Sequence, residues 1–401
     1  MKILQVNCVY NTGSTGKIMA DIHRELTAQG MESVVCYGRG VRVDEPNVHK
    51  TCPELYSKAN NLLTRLTGVM YGGCLFSTNK LISIIKKEQP DVVHLHCING
   101  YFVNSYRLVT WLKKHRIKTV LTLHAEFMYT ANCGHALDCE KWKTGCGHCP
   151  VRKKETRSLF LDGTARSWKR MKKAFEGFEQ DCTVTSVSPW LMERAEQSPI
   201  LGSLPHVTVL NGLDTGVFRP VDGLHIRQEH AIGDKKLVLH VTPSFSPEPG
   251  HFKGGWYVLE LARRMPDTVF AVVGCRDRVE GLPHNVINVG RLEDQNQLAA
   301  WYSTADATLL TSKRETFSMV TAESMCCGTP VVGFLAGGPE TIALARWSRF
   351  VPQGDTDALE RALADTLGDT PDRRALAAAA GDKYSAQTMC RAFLDIYRAC
   401  R

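Results

Sequence analysis

The sequence predicts an α/β protein built of two Rossmann-like domains facing a cleft, and three observations carry that reading. Short runs of β-branched residues alternate with helix-like stretches almost from end to end, the pattern of parallel sheets covered by helices. The chain has 401 residues, more than one hydrophobic core ordinarily serves. Near its middle, Ser198–Pro220 is rich in Gly, Pro and Ser and reads as a hinge, dividing the chain into 1–205 and 206–380.

In order, the first half gives a strand at Lys2–Cys8, an amphipathic helix at Gly16–Ala28 and a strand at Ser33–Tyr37. A basic helix, Leu81–Glu88, leads through Pro90 into a strand at Asp91–His96, and Lys118–Leu123 and Thr183–Val187 follow in the same style. Pairs such as Val92-Val93 suit strands buried on both faces. The second half repeats the rhythm at Leu237–Val241, Thr268–Val273, Val286–Val289, Ala307–Leu310 and Pro330–Phe334. Ligands of such domains are expected at the carboxyl ends of the strands.

Composition narrows the class. With 43% hydrophobic and 22% charged residues the chain is an ordinary globular one. No apolar run reaches the roughly 18 residues of a membrane span, and the N-terminus reads as a first strand, so a cytoplasmic protein is expected. A net charge of +8 permits an anionic substrate or membrane surface without demanding nucleic acid, and no nucleic-acid partner is expected. The 15 cysteines are mostly scattered within apolar runs and read as small buried thiols.

The chemistry concentrates between Glu315 and Glu323. A strand ends at Leu310, and a helix-like run reaches Cys327 before Gly328 and Pro330 stop it. The helix therefore starts near Ser318, which turns the free backbone N–H groups of Phe317 to Val320 into a site for a diphosphate. Glu315 precedes that helix start and Glu323 lies inside it. Two carboxylates so placed can accept hydroxyls on either side of a bound phosphate, as the sugar and ribose of a sugar nucleotide require. Spacing alone favours the plainer reading, a surface glutamate at a loop and another on a solvated helix face.

The surrounding residues decide between these. The segment resembles the E-x7-E signature of the retaining glycosyltransferases of family four, which have the GT-B fold. Asn211-Gly212-Leu213-Asp214 with Phe218 and Pro220 is similar to that family's interdomain stretch, Lys253-Gly254 to its phosphate-binding pair, and Gly290-Arg291 to the loop facing the nucleobase. Gly328-Thr329-Pro330 and Gly337-Gly338-Pro339-Glu340 continue the motif, and a cysteine-containing segment after the "TLH" strand resembles bacterial exopolysaccharide transferases of the colanic acid type.

The resemblance implies roles. Glu315 would contact the donor sugar, Glu323 the ribose, and the backbone of Thr316, Phe317, Ser318, Met319 and Val320 the diphosphate, with Lys253 and Gly254 beside it. His124 would lie next to the sugar, the loop Gly13-Ser14-Thr15-Gly16 would approach the phosphates, and Asn211 and Arg291 would complete the donor site. A closing helix at 381–401 would return to the first domain. The donor would be a UDP- or GDP-sugar, the acceptor a glycan, often polyprenyl-diphosphate-linked, and no cofactor would be required for catalysis. Gly16-Lys17 is not a nucleotide-hydrolase loop, since Gly13 stands only three positions before Gly16. Asp355-Thr356-Asp357 reads as a helix-capping turn rather than a metal motif.

Two departures from the family pattern stand out. No arginine precedes Lys253 in Val241–Pro247, leaving His251 and Arg276 as candidate replacements, and Ala125 followed by Glu126 stands where an aspartate is usual. Such changes leave open a nucleotide-sugar epimerase or a catalytically impaired sugar-nucleotide-binding protein. No pyridoxal-phosphate lysine of the phosphorylase kind is recognisable.

Two further features stand outside the donor site. Cys133, Cys139, Cys146 and Cys149 have spacings compatible with a structural zinc site or with half-buried thiols that bind nothing. Residues 152–173 hold nine Lys/Arg against two acids, interspersed with Leu159, Phe160, Leu161 and Trp168, with Phe175 just beyond. Such a stretch suits peripheral contact with an anionic bilayer, or a plain solvated face.

Overall fold

The structure, a computed structural model, describes residues 1–275 and 281–400, and it divides into two compact units: 1–210 with 389–401, and 211–388. In the first unit the strands are β1 (Lys2–Asn7), β2 (Glu32–Tyr37), β3 (Val48–Lys50), β4 (Val92–Leu95), β5 (Thr119–Leu123), β6 (Cys182–Ser186) and β7 (His206–Thr208). They form one seven-stranded sheet in the order β3-β2-β1-β4-β5-β6-β7. Every pairing is parallel, with Ile3 opposite both Ser33 and Val92. β1 and β4 are almost wholly buried, because helices cover both faces of the sheet.

The second unit has β8 (Leu237–Val241), β9 (Val269–Val273), β10 (Val286–Gly290), β11 (Ala307–Leu310), β12 (Val331–Phe334) and β13 (Ser348–Val351), parallel in the order β10-β9-β8-β11-β12-β13. Its core joins Val238, Leu309, Val332 and Phe334 to Leu359 and Leu363 of the helix Thr356–Gly368. Asp355 caps that helix, its carboxylate accepting from the Ala358 amide at 2.9 Å, so the Asp-x-Asp pattern is a cap.

The strand order reverses direction once in each sheet, between β1 and β4 and between β8 and β11. At such a switch point the loops leaving the carboxyl ends of adjacent strands turn to opposite faces and open a crevice. In the second unit those loops carry Lys253 and Glu315. In the first, β1 leads into Gly13–Gly16 and β4 into His96.

The chain crosses between the units near Leu210, in the stretch read as a hinge, and that stretch also holds the edge strand β7. The final helix, Ala386–Ala399, places Met389, Phe393 and Tyr397 in the first unit's core with Ile3, Ile22 and Val92. Tyr397 is fully buried and its hydroxyl meets His94 Nδ1 at 2.6 Å, so apolar burial and this internal polar contact both hold the closing helix.

Candidate functional site

In the second unit, the loop 311–318 carries the chain from β11 into the helix Met319–Cys326. Ser318 caps that helix with φ 78°, its Oγ accepting from the Thr321 amide at 3.2 Å. No acidic residue occupies the first turn, and the amides of Met319 and Val320 precede the first intrahelical bonds, which leaves a positive end for an anion. Phe317 is buried, its ring edge-on to Tyr384 at 6.4 Å, and anchors the turn from behind.

A second loop, leaving β8, is fastened to the first through backbone. The Lys313 amide donates to Phe252 O at 2.9 Å, and Thr311 Oγ1 donates to Lys253 O at 2.9 Å. Gly254 (φ +67°) sits where a Cβ would stand 2.2 Å from Thr311 O, so only glycine permits this approach. The result brings Lys253 Nζ to 2.6 Å from Glu315 Oε1, with the two side chains 22% and 20% exposed.

Each carboxylate is positioned by neighbours. Glu315 is held through its backbone: its amide donates to Ala336 O at 3.0 Å, and its carbonyl accepts from Gly338 N at 2.8 Å. Glu340 closes that turn by accepting from the Gly337 amide at 2.7 Å and the Ala336 amide at 3.1 Å. Gly338 is needed for contact, since a Cβ there would lie 2.4 Å from Thr316 O. The Glu323 carboxylate accepts from Tyr302 OH at 2.9 Å, and burial together with that carboxylate raises the phenol's pKa, keeping it a donor. Glu340 and Tyr302 were not singled out from sequence; Glu340 at least lay within a quoted motif.

Other expected donor residues are more peripheral. Arg291 follows Gly290 (φ 79°), is half exposed and lies 3.7 Å from Glu293 Oε1. Asn211 is buried, beside a stretch where Leu213 N donates to Tyr384 O at 2.8 Å and Ala386 N to Leu213 O at 2.9 Å. His251 adjoins Lys253, its Nδ1 3.4 Å from the Lys253 amide. Arg276 lies outside the described residues.

In the first unit, Gly13–Gly16 is the opening turn of the helix Gly13–Ala28, which therefore begins three residues earlier than the amphipathic pattern suggested. Gly16 packs tightly, a Cβ there coming 3.1 Å from Val9 Cγ2 and 3.2 Å from Asn11 N. His124, at the end of β5, belongs to a chain of histidines. His96 Nδ1 lies 3.1 Å from His124 Nε2, and His96 Nε2 lies 3.2 Å from Gln5 Oε1.

The network assigns the protons. Gln5 Nε2 donates to Met19 O at 3.4 Å, so its Oε1 accepts and His96 must be protonated on Nε2. His96 Nδ1 then accepts from His124 Nε2–H, which leaves the lone pair of His124 on Nδ1. Burial pushes the His124 imidazole down to about 4 and His96 well below its usual value, so both are neutral near pH 7. His94 packs against His96 with ring centroids 3.9 Å apart and planes tilted by 35°, and it joins Tyr397 OH and Thr122 Oγ1, each at 2.6 Å. The alternation His94-Leu95-His96 on a strand puts both rings on one face, a signal present in the sequence.

Glu126 has a structural task. It is fully buried, accepts from Arg194 Nε at 2.8 Å, and is bonded to Tyr129 OH and the Ala136 amide. Arg194 lies over Trp142 and Trp190, so this ion pair ties the cysteine-bearing loop to the helix Pro189–Glu196.

The structure bears on two further expectations. Cys133, Cys139, Cys146 and Cys149 occupy one loop region, but among the described residues no three His, Cys, Asp or Glu side chains converge into a group that could hold a metal. Their contacts are local instead, Cys146 Sγ reaching Thr130 O and the Cys149 amide donating to Asp162. In the basic stretch, Trp168 and Phe175 point inward and are buried, because the helix Thr164–Phe175 turns its apolar face to the core; Leu159, Phe160 and Leu161 are exposed.

Two parallel Rossmann-like sheets with ligand loops at both switch points define the GT-B class of glycosyltransferases. The chain belongs to the family described as Glycosyltransferase Family 4, whose model matches residues 15–215; a model for Glycosyl transferases group 1 matches 257–369. It is similar to WcaC of Escherichia coli (strain K12), named for a glycosyl transferase of colanic acid biosynthesis, at 23% identity over 99% of this chain and 100% of that protein. Among solved structures it resembles HepE of Anabaena in complex with UDP, at 15% identity, TM-score 0.66 and 100% coverage of both chains. It also resembles the sucrose-phosphate synthase of Thermosynechococcus elongatus, at 16% identity and TM-score 0.66, covering 100% of this chain and 99% of that one.

Proposed function

We propose that this glycosyltransferase moves a sugar, with retention, from a UDP- or GDP-sugar to a lipid-linked glycan acceptor in bacterial polysaccharide synthesis. The observation that carries the reading is the Lys253–Glu315 contact at the switch point of the second sheet, beside an acid-free helix start capped by Ser318. The name of WcaC supports a polysaccharide product, and the complexes of HepE with UDP and with UDP-glucose support a nucleotide-sugar donor.

The contact suggests how the donor is received. Before the donor arrives, the Lys253 ammonium is held 2.6 Å from the Glu315 carboxylate. An arriving diphosphate takes the ammonium and the Met319 and Val320 amides, and frees Glu315 to accept sugar hydroxyls. Glu323, aligned by Tyr302, accepts from the ribose. In the reaction the anomeric C–O bond to the diphosphate breaks as the acceptor oxygen attacks the same face. The acceptor's proton passes to the leaving diphosphate oxygen. Charge gathers on the diphosphate, where Lys253 and fixed amides stabilise it without a metal. The basic stretch 152–173 suits work at the inner face of the plasma membrane.

The test is a panel of UDP- and GDP-sugars with and without a polyprenyl-diphosphate-linked acceptor, in the presence of chelator. Acceptor-dependent nucleotide release with an unchanged anomeric configuration is expected. Isomerisation without acceptor would make the protein an epimerase, and binding without turnover a binding protein.

A further inference from the structure

The helix Glu54–Thr67 of the first unit is built inside out. Its buried positions are Ser57, Asn60 and Thr64, all polar. Asn60 earns its place there: Oδ1 accepts from the Cys74 amide at 2.7 Å and Nδ2 donates to Tyr56 O at 2.7 Å. The outward face carries Leu55 (80% exposed), Leu62, Leu63 and Leu66. Leu55, Leu62 and Leu66 are seven and four apart and so share one stripe. An ordinary surface helix has the opposite arrangement, apolar within and polar without.

Two other segments extend this face. The Leu159 amide donates to Arg65 O at 2.8 Å, fixing the exposed Leu159, Phe160 (69%) and Leu161 beside the end of the helix. The junction is rigid, because a Cβ on Gly68 would meet Leu161 O at 2.3 Å and one on Gly163 would meet Gly68 O at 2.3 Å. At the helix start Phe76, 78% exposed, lies 5.9 Å from Tyr56 and its amide donates to Tyr56 OH. Next to these apolar residues is a hollow of about 560 Å³ lined by Arg65, Lys153, Lys154 and Arg157 together with Leu159 and Phe160. Among the described residues the lining holds four cations and no carboxylate, and the nearby Asp162 accepts from the Cys149 amide and from Thr164.

We propose that this composite face docks the protein on an anionic phospholipid bilayer, the leucines and Phe160 entering the interface and the basic hollow receiving lipid phosphates. Apolar side chains flanked by several cations match a surface that is apolar below and anionic above. The inference deepens the lipid-linked acceptor of the proposed function and moves the contact from the helix Thr164–Phe175, whose aromatic residues are buried, to the helix Glu54–Thr67 and residues 159–161.

The test is flotation of the full chain with phosphatidylcholine vesicles, with and without phosphatidylglycerol. Wild type should float with anionic vesicles only, and less so at high salt. Leu62→Ser/Leu66→Ser and Lys153→Gln/Lys154→Gln/Arg157→Gln should each weaken partitioning by about tenfold or more, with melting unchanged because the altered positions are exposed. Phe160→Ser alone provides a variant in a loop should the leucine pair unfold. Equal flotation of all variants, or no flotation of wild type, overturns the proposal. So does a wild-type dimer that the leucine variant dissociates without any vesicle binding. The vesicles contain neither donor nor acceptor, so failure here leaves sugar transfer to be judged by its own assay.

Discussion

Replacing Lys253 with alanine separates a catalytic ammonium from a structural one. The Lys253–Glu315 pair is roughly four-fifths buried on each side and 2.6 Å long. Partly exposed pairs of this kind stabilise a fold by only about 1 kcal/mol, so Lys253→Ala should lower Tm by roughly 2–4 °C. The effect on turnover is far larger. An ammonium about 4 Å from a unit charge is worth about 4 kcal/mol at an effective dielectric of about 20. Charge grows on the diphosphate as the anomeric bond breaks, and losing one fixed stabilising group of that kind costs on the order of 10²–10³ in kcat. The assay is nucleotide release under saturating donor, alongside a Lys253→Ala/Glu315→Gln cycle. The two losses should be strongly non-additive, because each residue sets the other's charge environment. Activity within threefold of wild type, with the expected small Tm change, would refute the phosphate assignment.

Three further outcomes follow from the geometry. Gly338→Ala places a Cβ 2.4 Å from Thr316 O, and the peptide must retreat to at least 3.0 Å; kcat should fall by about 10²-fold while the fold persists, as read by steady-state kinetics and circular dichroism. Arg194→Met leaves the fully buried Glu126 without its cation and should cost about 3 kcal/mol in urea unfolding; a loss below about 1 kcal/mol would contradict a central role for this pair. His94, His96 and His240 are buried with lowered pKa values, His240 pushed down to about 4 by burial. The unfolded chain therefore binds more protons below its ordinary pKa of about 6.5, so this stability is complete above that pH. It is lost toward pH 4 at up to about 1.4 kcal/mol per histidine per pH unit. The urea midpoint should be lower at pH 5.5 than at pH 7, and an unchanged or higher midpoint would contradict the assignment of neutral buried rings.

The central strands were legible because burial on both faces demands unbroken β-branched and aliphatic runs: Leu237–Val241 and Ala307–Leu310 were read with the bounds the structure gives. The edge strands β3, β7 and β13 were not, because an edge need not be apolar; β7 is His206-Val207-Thr208, largely exposed. Ser318 as helix start and Gly328 as stop could be read from capping chemistry and confirmed by φ angles of 78° at both. What sequence could not supply is contact between distant residues. Lys253 and Glu315 stand 62 positions apart, and only the switch point between β8 and β11 brings them together. The helix Glu54–Thr67 was invisible for a different reason, since its apolar stripe faces outward around a polar buried face. Glu126 was noticed as a departure from a family pattern, and the structure gives it an architectural explanation in Arg194.

The most direct test of a diphosphate held between Lys253 and the helix start at Ser318 is calorimetric titration of the chain with UDP and GDP, comparing wild type with Lys253→Ala and Ser318→Pro. Micromolar binding of one nucleotide, weakened at least about tenfold by either change, is the predicted result. Tight nucleotide binding that neither substitution disturbs would place the donor elsewhere and contradict the account.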